Sequence, residues 1–378
     1  MSAFRRVGSE GEPLRVIQVG AGSMGQAWIR NDAANPDVEL VGIVDLDLDA
    51  ARAGAAVYGD DSIAVHTDLA ALIAQVHPDA ILDITVPVAH HPVTTDSLLA
   101  GLPVLGEKPA AQTVAEALSL AAAAEVTGEL FMVSQSRRYN DQLVAFKQAA
   151  SRLGDLGTVS TEFAKAPHFG GFREEMDNVL LLDMAIHPFD SVRYLLDRDP
   201  VSVYCDSYNP SWSWFRGDAA ASVIFEFEGG IRYTYNGSWC APGLETSWNG
   251  AWRISGAAGS ALWNGDDEPS FETPDADPAP LAAQPSVGAE IAGSLAAFVR
   301  ALRSGETPDG EVHGNVMSLA MVEAAIESKD QGRRIAIDDV LERAYETAVR
   351  SERRDDVRAR LESWTSVRGA LQGVPVTA

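Results

Sequence analysis

Residues 16–25 read Val-Ile-Gln-Val-Gly20-Ala-Gly22-Ser23-Met24-Gly25. An apolar, strand-like run ends in glycines and passes into a helical stretch. That is the context in which GxGxxG binds a dinucleotide. Gly20 permits the tight turn, Gly22 lets the backbone approach a pyrophosphate, and Gly25 lets the helix pack on the strand. The helix opens at Ser23 and Met24, and its free N–H groups face the phosphates. Asp45 lies 20 residues beyond Gly25, where a second strand ends. A carboxylate there bonds the adenosine ribose 2′-OH and repels a 2′-phosphate. Residues 46–51 carry no Arg to accept such a phosphate. The expected cofactor is NAD rather than NADP.

Strand–helix alternation continues outward from the fingerprint. Strands are expected at Arg15–Val19, Glu39–Val44, Ala80–Thr85, Pro103–Leu105 and Leu130–Ser134. Helices are expected at Ser23–Asn31, Asp49–Tyr58, Leu69–Gln75, His91–Ala100 and Val114–Thr127. This pitch belongs to a parallel sheet covered on both faces. The expected first domain is a Rossmann domain over residues 1–138.

After Tyr139 the pattern changes. A helix over Asp141–Arg152 precedes strand-like runs at Thr158–Ala164, Val201–Asp206, Ala220–Glu226, Gly230–Trp239, Ala251–Ser255 and Ser260–Leu262. One helix, Leu180–Leu196, interrupts them. The runs suggest one mostly antiparallel sheet in a second domain over residues 139–378. Glu268–Gly288 holds several prolines and acids and reads as an exposed loop. Glu290–Ser304 and Val316–Gln331 read as amphipathic helices. The charged tail from Asp338 is helix-prone, and the C-terminal helices have the option of packing back on the Rossmann domain.

The formal charge of -25 on 378 residues argues against nucleic acid and against anionic membrane surfaces. Two cysteines, Cys205 and Cys240, form no metal or disulfide pattern. No metal is expected. Met1–Pro13 does not read as a signal peptide and no apolar run spans a membrane, so the expected location is cytoplasmic.

Two further segments carry chemistry. Of 29 basic residues only four are lysines. One of them, Lys108, stands in Gly106-Glu107-Lys108-Pro109, directly after an apolar strand. Lysine supplies a compact, movable ammonium that arginine does not. In the Leu180–Leu196 helix, Asp183, His187 and Asp190 stand at i, i+4 and i+7 and are expected on one helix face. A histidine beside a carboxylate serves as general acid or base near neutral pH.

With these segments together, the chain resembles the Gfo/Idh/MocA family of nicotinamide-dependent oxidoreductases, from about Arg15 to about Leu341. Thr85-Val86-Pro87 followed by His91, the Gln135–Tyr139 run, and Ile254-Ser255-Gly256 are weaker echoes. The resemblance implies a two-domain fold, an N-terminal Rossmann domain and a C-terminal α+β domain with a large, open, mostly antiparallel sheet, and a homodimer or homotetramer built through that sheet. It implies cofactor contacts from Gly20, Gly22, Ser23, Met24, Gly25, Asp45, Thr85, Pro87, His91, Glu107, Lys108 and Gln135. It implies that Lys108, Asp183 and His187 are catalytic, and that a secondary alcohol of a sugar, inositol or related polyol is the substrate. His187 is assigned as proton acceptor, Asp183 as its orienting partner, and Lys108 as the partner of the developing alkoxide. The sequence leaves open whether Lys108 or His187 moves the proton. Lys165, His168 and Arg173, in a glycine-containing stretch before the Asp/His helix, are further substrate-binding candidates. Two other readings use the same features: an NAD-dependent glycosidase, and a non-catalytic dinucleotide-binding regulator.

Assembly has its own sequence argument. Ala220–Glu226 and Gly230–Trp239 carry apolar residues on both parities, so both sheet faces are expected to be buried, the second against another subunit.

Overall fold

Six strands form the sheet of the first unit: β1 (Leu14–Val19), β2 (Val38–Val44), β3 (Ala64–His66), β4 (Ala80–Asp83), β5 (Val104–Glu107) and β6 (Phe131–Ser134). All pair in parallel, in the order β3-β2-β1-β4-β5-β6. This computed structural model describes residues 4–8, 11–60, 62–274, 281–282, 286 and 288–372. The strands β4 and β6 are buried along their whole length, as continuous apolar strands between two helical layers must be. The helices α1 (Ser23–Ala34), α2 (Leu48–Tyr58), α3 (Leu69–Val76), α4 (Pro87–Leu99) and α5 (Val114–Thr127) connect them. Local chemistry fixes the ends of α5. Thr113 and Glu116 form a reciprocal capping box, and Gly128 closes the helix in the left-handed region. Strand order reverses between β1 and β4. Ligands of such sheets bind at that switch point, beyond the carboxyl ends of the strands. The three-residue β3 is too short to show a period and was not expected.

The second unit opens with α6 (Asp141–Ala150) and β7 (Leu156–Ala164). A π-helical stretch, Leu180–Ala185, runs into α7 (Ile186–Leu196). Then come β8 (Pro200–Tyr208), β9 (Ala220–Phe227), β10 (Arg232–Ser238), β11 (Ala251–Gly256), β12 (Gly259–Trp263), β13 (Ser270–Glu272) and, much later, β14 (Ile335–Ala336). The order is β13-β12-β11-β7-β10-β9-β8-β14. Only β7 and β10 pair in parallel, so the sheet is mostly antiparallel. Strand β13 corrects the reading of 268–288 as loop throughout. Ser270 pairs with Leu262 at the sheet edge, while much of that stretch lies outside the described residues.

One face of this sheet is covered within its own unit. Phe189 of α7 meets Phe225 edge-on at 4.9 Å and Tyr235 at 5.6 Å. Phe146 of α6 meets Trp263 at 5.9 Å. Each such buried aromatic contributes about 2–3 kcal/mol of transfer free energy. On β9 the split between faces is cleaner than the sequence suggested. Val223, Phe225 and Phe227 are buried, whereas Ser222 and Ile224 are exposed and Glu226 is half-buried. The sequence argument overweighted the small residues Ala220 and Ala221, which fit either face.

The remaining helices are α8 (Glu290–Ser304), α9 (Val312–Gln331), α10 (Ile337–Ser351), α11 (Asp355–Glu362) and α12 (Val367–Leu371). The first unit comprises Met1–Ser136, Gly288–Val316 and Arg343–Ala378; the second comprises Arg137–Val287 and Met317–Glu342. This division differs from a single boundary at 138, because α8, α11 and α12 group with the Rossmann sheet. Arg303 of α8 pairs with Asp37 at 2.7 Å. Arg360 of α11 pairs with Glu125 of α5 at 2.7 Å, and Trp364 Nε1 donates to the same carboxylate at 2.9 Å.

Candidate active site

In the first unit the three fingerprint glycines have three distinct reasons. At Gly20, φ is 98° and a Cβ would collide with the carbonyl oxygen of Ile84. At Gly25 it would collide with the carbonyl oxygen of Gly20. At Gly22 a Cβ would meet nothing, so this glycine opens space at the start of α1. No side chain caps that helix end. Its first N–H groups are therefore left for a phosphate. Ser23 and Met24 are exposed beside it. Asp45, just past β2, accepts from Ala21 N–H at 2.8 Å and from Asp47 N–H at 2.9 Å. It therefore holds the glycine turn, and a carboxylate keeps further lone pairs for a ribose hydroxyl. Leu46 beside it is fully in solvent.

A second pair of segments follows β4 and β5. Thr85 Oγ1 donates to Asp83 Oδ1 at 2.6 Å, and Thr94 Oγ1 to Asp83 Oδ2 at 2.9 Å. Burial pushes the Asp83 carboxyl up, against the pull of His90 and the threonine donors. Pro87 occupies the first turn of α4. Glu107 accepts from Trp28 Nε1 at 2.8 Å and from Lys108 N–H at 3.0 Å. Trp28, which the sequence did not single out, thus fixes the carboxylate preceding Lys108. Gln135 is buried, and among the described residues its Nε2 has no hydrogen-bond partner. An orphaned buried amide, an uncapped helix start and a glycine-opened turn fit a dinucleotide.

His91 is the residue the sequence reading placed at the cofactor. Its Nε2 lies 3.1 Å from Ser119 Oγ on α5. The buried neighbour His90 reaches the loops instead: its Nδ1 lies 2.7 Å from Pro109 O and its Nε2 3.1 Å from Thr85 O. Two adjacent histidines at a helix start differ by one step of about 100°, which spacing alone does not resolve.

In the second unit, Asp183 lies in the π-helical stretch and His187 in the first turn of α7; both are half-buried. Asp183 Oδ2 accepts from Arg173 Nε at 2.6 Å. The expectation of one polar face through Asp190 is corrected here. Asp190 is buried and takes Arg138 in a bidentate pair at 2.7 and 2.8 Å, with Ser318 Oγ donating at 2.7 Å. The wider turn over 180–185 alters the step between Asp183 and His187 that the spacing argument assumed, while Asp190 is set apart by its burial against Arg138. Lys165 pairs with Glu245 at 2.9 Å and lies over the Trp248 ring. His168 stacks on Trp214 at 3.8 Å. Of the three substrate candidates, the structure joins only Arg173 directly to Asp183. No group of three His, Cys, Asp or Glu among the described residues could hold a metal ion. No described helix is long and apolar enough to cross a membrane.

Residues 14–135 match the oxidoreductase family with an NAD-binding Rossmann fold, and residues 147–262 match the GFO/IDH/MocA C-terminal domain. The chain belongs to the Gfo/Idh/MocA oxidoreductase family. It is 27% identical over 352 residues to an uncharacterised protein, y4oX, of Sinorhizobium fredii, covering 87% of this chain and 97% of that one. It is 34% identical over 196 residues to inositol 2-dehydrogenase 1 of Saccharopolyspora erythraea, covering 50% of this chain and 56% of that enzyme. Its fold superposes with a TM-score of 0.76, at 19% identity, on an Agrobacterium radiobacter oxidoreductase solved with NAD+, L-tartaric acid and magnesium; 87% of this chain and 99% of that one are covered. The cofactor of this Gfo/Idh/MocA protein is NAD, and Gly20, Gly22, Gly25 and Asp45 are the residues whose geometry fits it.

Proposed function

We propose that the protein is an NAD-dependent dehydrogenase of a secondary alcohol on a sugar, inositol or related polyol. One observation carries the reading. Along the helical stretch 180–196, Asp190 is buried in its pair with Arg138, while Asp183, paired with Arg173, and His187 stay part-exposed one turn apart. That leaves a carboxylate and an imidazole, the pair that proton transfer from a hydroxyl requires. The relatedness to an inositol dehydrogenase supports the substrate class.

When bound, NAD supplies the hydride chemistry. The protein's residues handle the proton and the charge. His187 takes the hydroxyl proton in oxidation, and Asp183 favours the charged imidazole that results. Lys108 stabilises negative charge developing on oxygen. Thr85, Pro87, Glu107, Lys108 and Gln135 are proposed to bind the cofactor beside the fingerprint, and Lys108, Lys165, His168, Arg173, Asp183 and His187 to bind substrate.

The deciding experiment offers a panel of sugars and inositols with NAD and follows absorbance of the reduced nicotinamide. NADH released with a free polyol supports the reading. Cleavage of a glycoside without net NADH would replace it by the glycosidase alternative.

A further inference from the structure

We infer that Arg173 is a positioning residue: its ion pair with Asp183 holds that carboxylate ionised and in one orientation beside His187. The inference rests on the roles proposed above for Asp183 and His187. Beyond the substrate-binding role proposed above, its Nε bonds Asp183 at 2.6 Å.

Three features make this more than a surface pair. First, the guanidinium lies over two rings, with its carbon 5.3 Å from the Phe169 centroid and 4.9 Å from that of Phe172. Both phenylalanines are exposed, and so are not packed as ordinary core. A planar, permanently charged group stacks on rings while bonding a carboxylate in its own plane; an ammonium does not. Second, the side chains are 33% and 16% exposed, which places the pair between a solvated surface bridge and a buried one. Third, the loop is shaped to deliver Arg173. Gly170 and Gly171 both lie in the left-handed region, at φ 66° and 65°. Two successive such residues turn the chain sharply into the short helical turn Gly171–Glu175. The far end of that turn is tied down: Gly170 N–H donates to Glu174 Oε1 at 2.9 Å, and Arg216 pairs with Asp177 at 2.9 Å.

The chemical consequence follows from the charges. An Asp183 carboxylate acting alone on His187 would raise its affinity for a proton. A fixed cation on the same carboxylate offsets that pull and so favours the neutral imidazole, the form that accepts a proton. The other ionisable groups around this stretch have partners of their own. Arg137 Nη2 lies 3.8 Å from Met184 Sδ, and Asp218 pairs with Lys329 at 3.1 Å. Lys165 pairs with Glu245, Asp190 with Arg138, and His168 stacks on Trp214.

The test is an NMR titration of the His187 imidazole in the substrate-free full chain, assigned with His187→Gln. Arg173→Gln should raise the midpoint by about one unit, the usual size for losing a nearby opposite charge on the coupled carboxylate. Arg173→Lys should keep most of the wild-type value, and millimolar guanidinium should return part of it in Arg173→Gln. Circular dichroism checks the fold. Arg173→Met, which keeps the stem beside the rings, replaces the Gln variant should that one not fold. An unmoved midpoint in the neutral variant overturns the inference. So does a Lys variant that shifts as far as the neutral one, which would mean lost structure rather than lost charge. Because no substrate is used, the result stands apart from the dehydrogenase reading. A moved midpoint in a protein that oxidises no polyol would remove that reading and leave the pair.

Discussion

The His90 ring lies with Nδ1 2.7 Å from the carbonyl oxygen of Pro109 and Nε2 3.1 Å from that of Thr85. One side chain thereby ties the segment after β4 to the segment after β5, the segment that carries Lys108. His90→Ala should cost roughly 2–3 kcal/mol, through the lost ring contacts to the two carbonyls and a buried gap. It should also weaken NADH binding, because both loops lose their common anchor. His91→Ala, whose ring meets Ser119, should leave NADH affinity within about twofold. Thermal melts and NADH fluorescence titration read both effects, and equal losses in the two variants would contradict the assignment.

Asp45 sets the dinucleotide preference. Replacing it with Ser and Leu46 with Arg should relax or invert the preference for NAD over NADP. Because Asp45 also accepts from Ala21 and Asp47, the double variant should bind both dinucleotides less tightly than the parent binds NAD. Tighter binding of NADPH than of NADH by the unmodified protein would show that Asp45 has another role.

Lys108→Met and His187→Ala should each lower turnover by about a hundredfold or more, the usual loss for a positioned acid/base or charge stabiliser. NADH affinity should change far less, since pyrophosphate and adenosine contacts lie at the fingerprint. Steady-state kinetics with the best substrate of the panel measures this, and unchanged turnover in both variants would remove the proposed mechanism.

His313 gives the first unit a pH signature. Burial by itself would lower it, but Glu311 at 2.6 Å and Glu125 at 3.3 Å outweigh burial and raise it to about 10. A raised folded value means that the stabilisation is complete below the ordinary histidine value near 6.5 and is lost as pH rises toward 10. Burial likewise opposes the shift of Glu125, which His313, Arg360 and Trp364 bring down to about 2. Its contribution is complete above the ordinary value near 4.5 and lost on acidification. Thermal melts of the parent should therefore decline between about pH 7 and 10 more steeply than those of His313→Gln. Parallel curves would mean the ion cluster does not couple to folding.

The second sheet is proposed to pair with another copy of the chain, as a homodimer or homotetramer. Across its outward face runs a cross-strand row, Tyr204, Ile224, Thr234, Ser160, Arg253 and Leu262. Three of these six are large and apolar, and each is 40–47% exposed in the single chain. Burying them is a driving force for association, and the -25 charge per chain that opposes it is screened beyond about 8–10 Å at physiological salt. Sedimentation at micromolar concentration should give a dimer or tetramer, and Ile224→Lys should shift it toward monomer. A monomeric parent would overturn the proposal.

How much of this was written in the sequence varied with the kind of cue. The β1–turn–α1 unit was legible because each glycine does a job no other residue can do, and α5 because its caps sit at both ends. The short strands β3, β13 and β14 were not, since two or three residues carry no period. The separate fate of Asp190 was not legible because its partners, Arg138 and Ser318, are distant in sequence, and the π-helical turn before His187 is not encoded by any residue type. His90 and His91 could not be told apart without knowing which of the two faces the sheet. Arg173 was legible as a substrate candidate, but its bond to Asp183, ten residues on, was not: the chain reaches it through two positive-φ glycines whose turn the spacing does not reveal.

The division of the chain into interleaved segments bears on how the protein is made. The Rossmann sheet is complete by Ser134, yet Arg360 and Trp364, which bond Glu125 of α5, are translated only after the last strand of the second sheet. A ribosome adding roughly 5–20 residues per second needs on the order of ten to fifty seconds to span that interval. Throughout it the nascent sheet waits with one helix uncovered and Glu125 without its cations. A chain stopped short of Arg343 would carry every residue of the dinucleotide fingerprint and still lack the piece that closes the layer around it. The two units are interleaved along the chain, so a single cut cannot release either one whole.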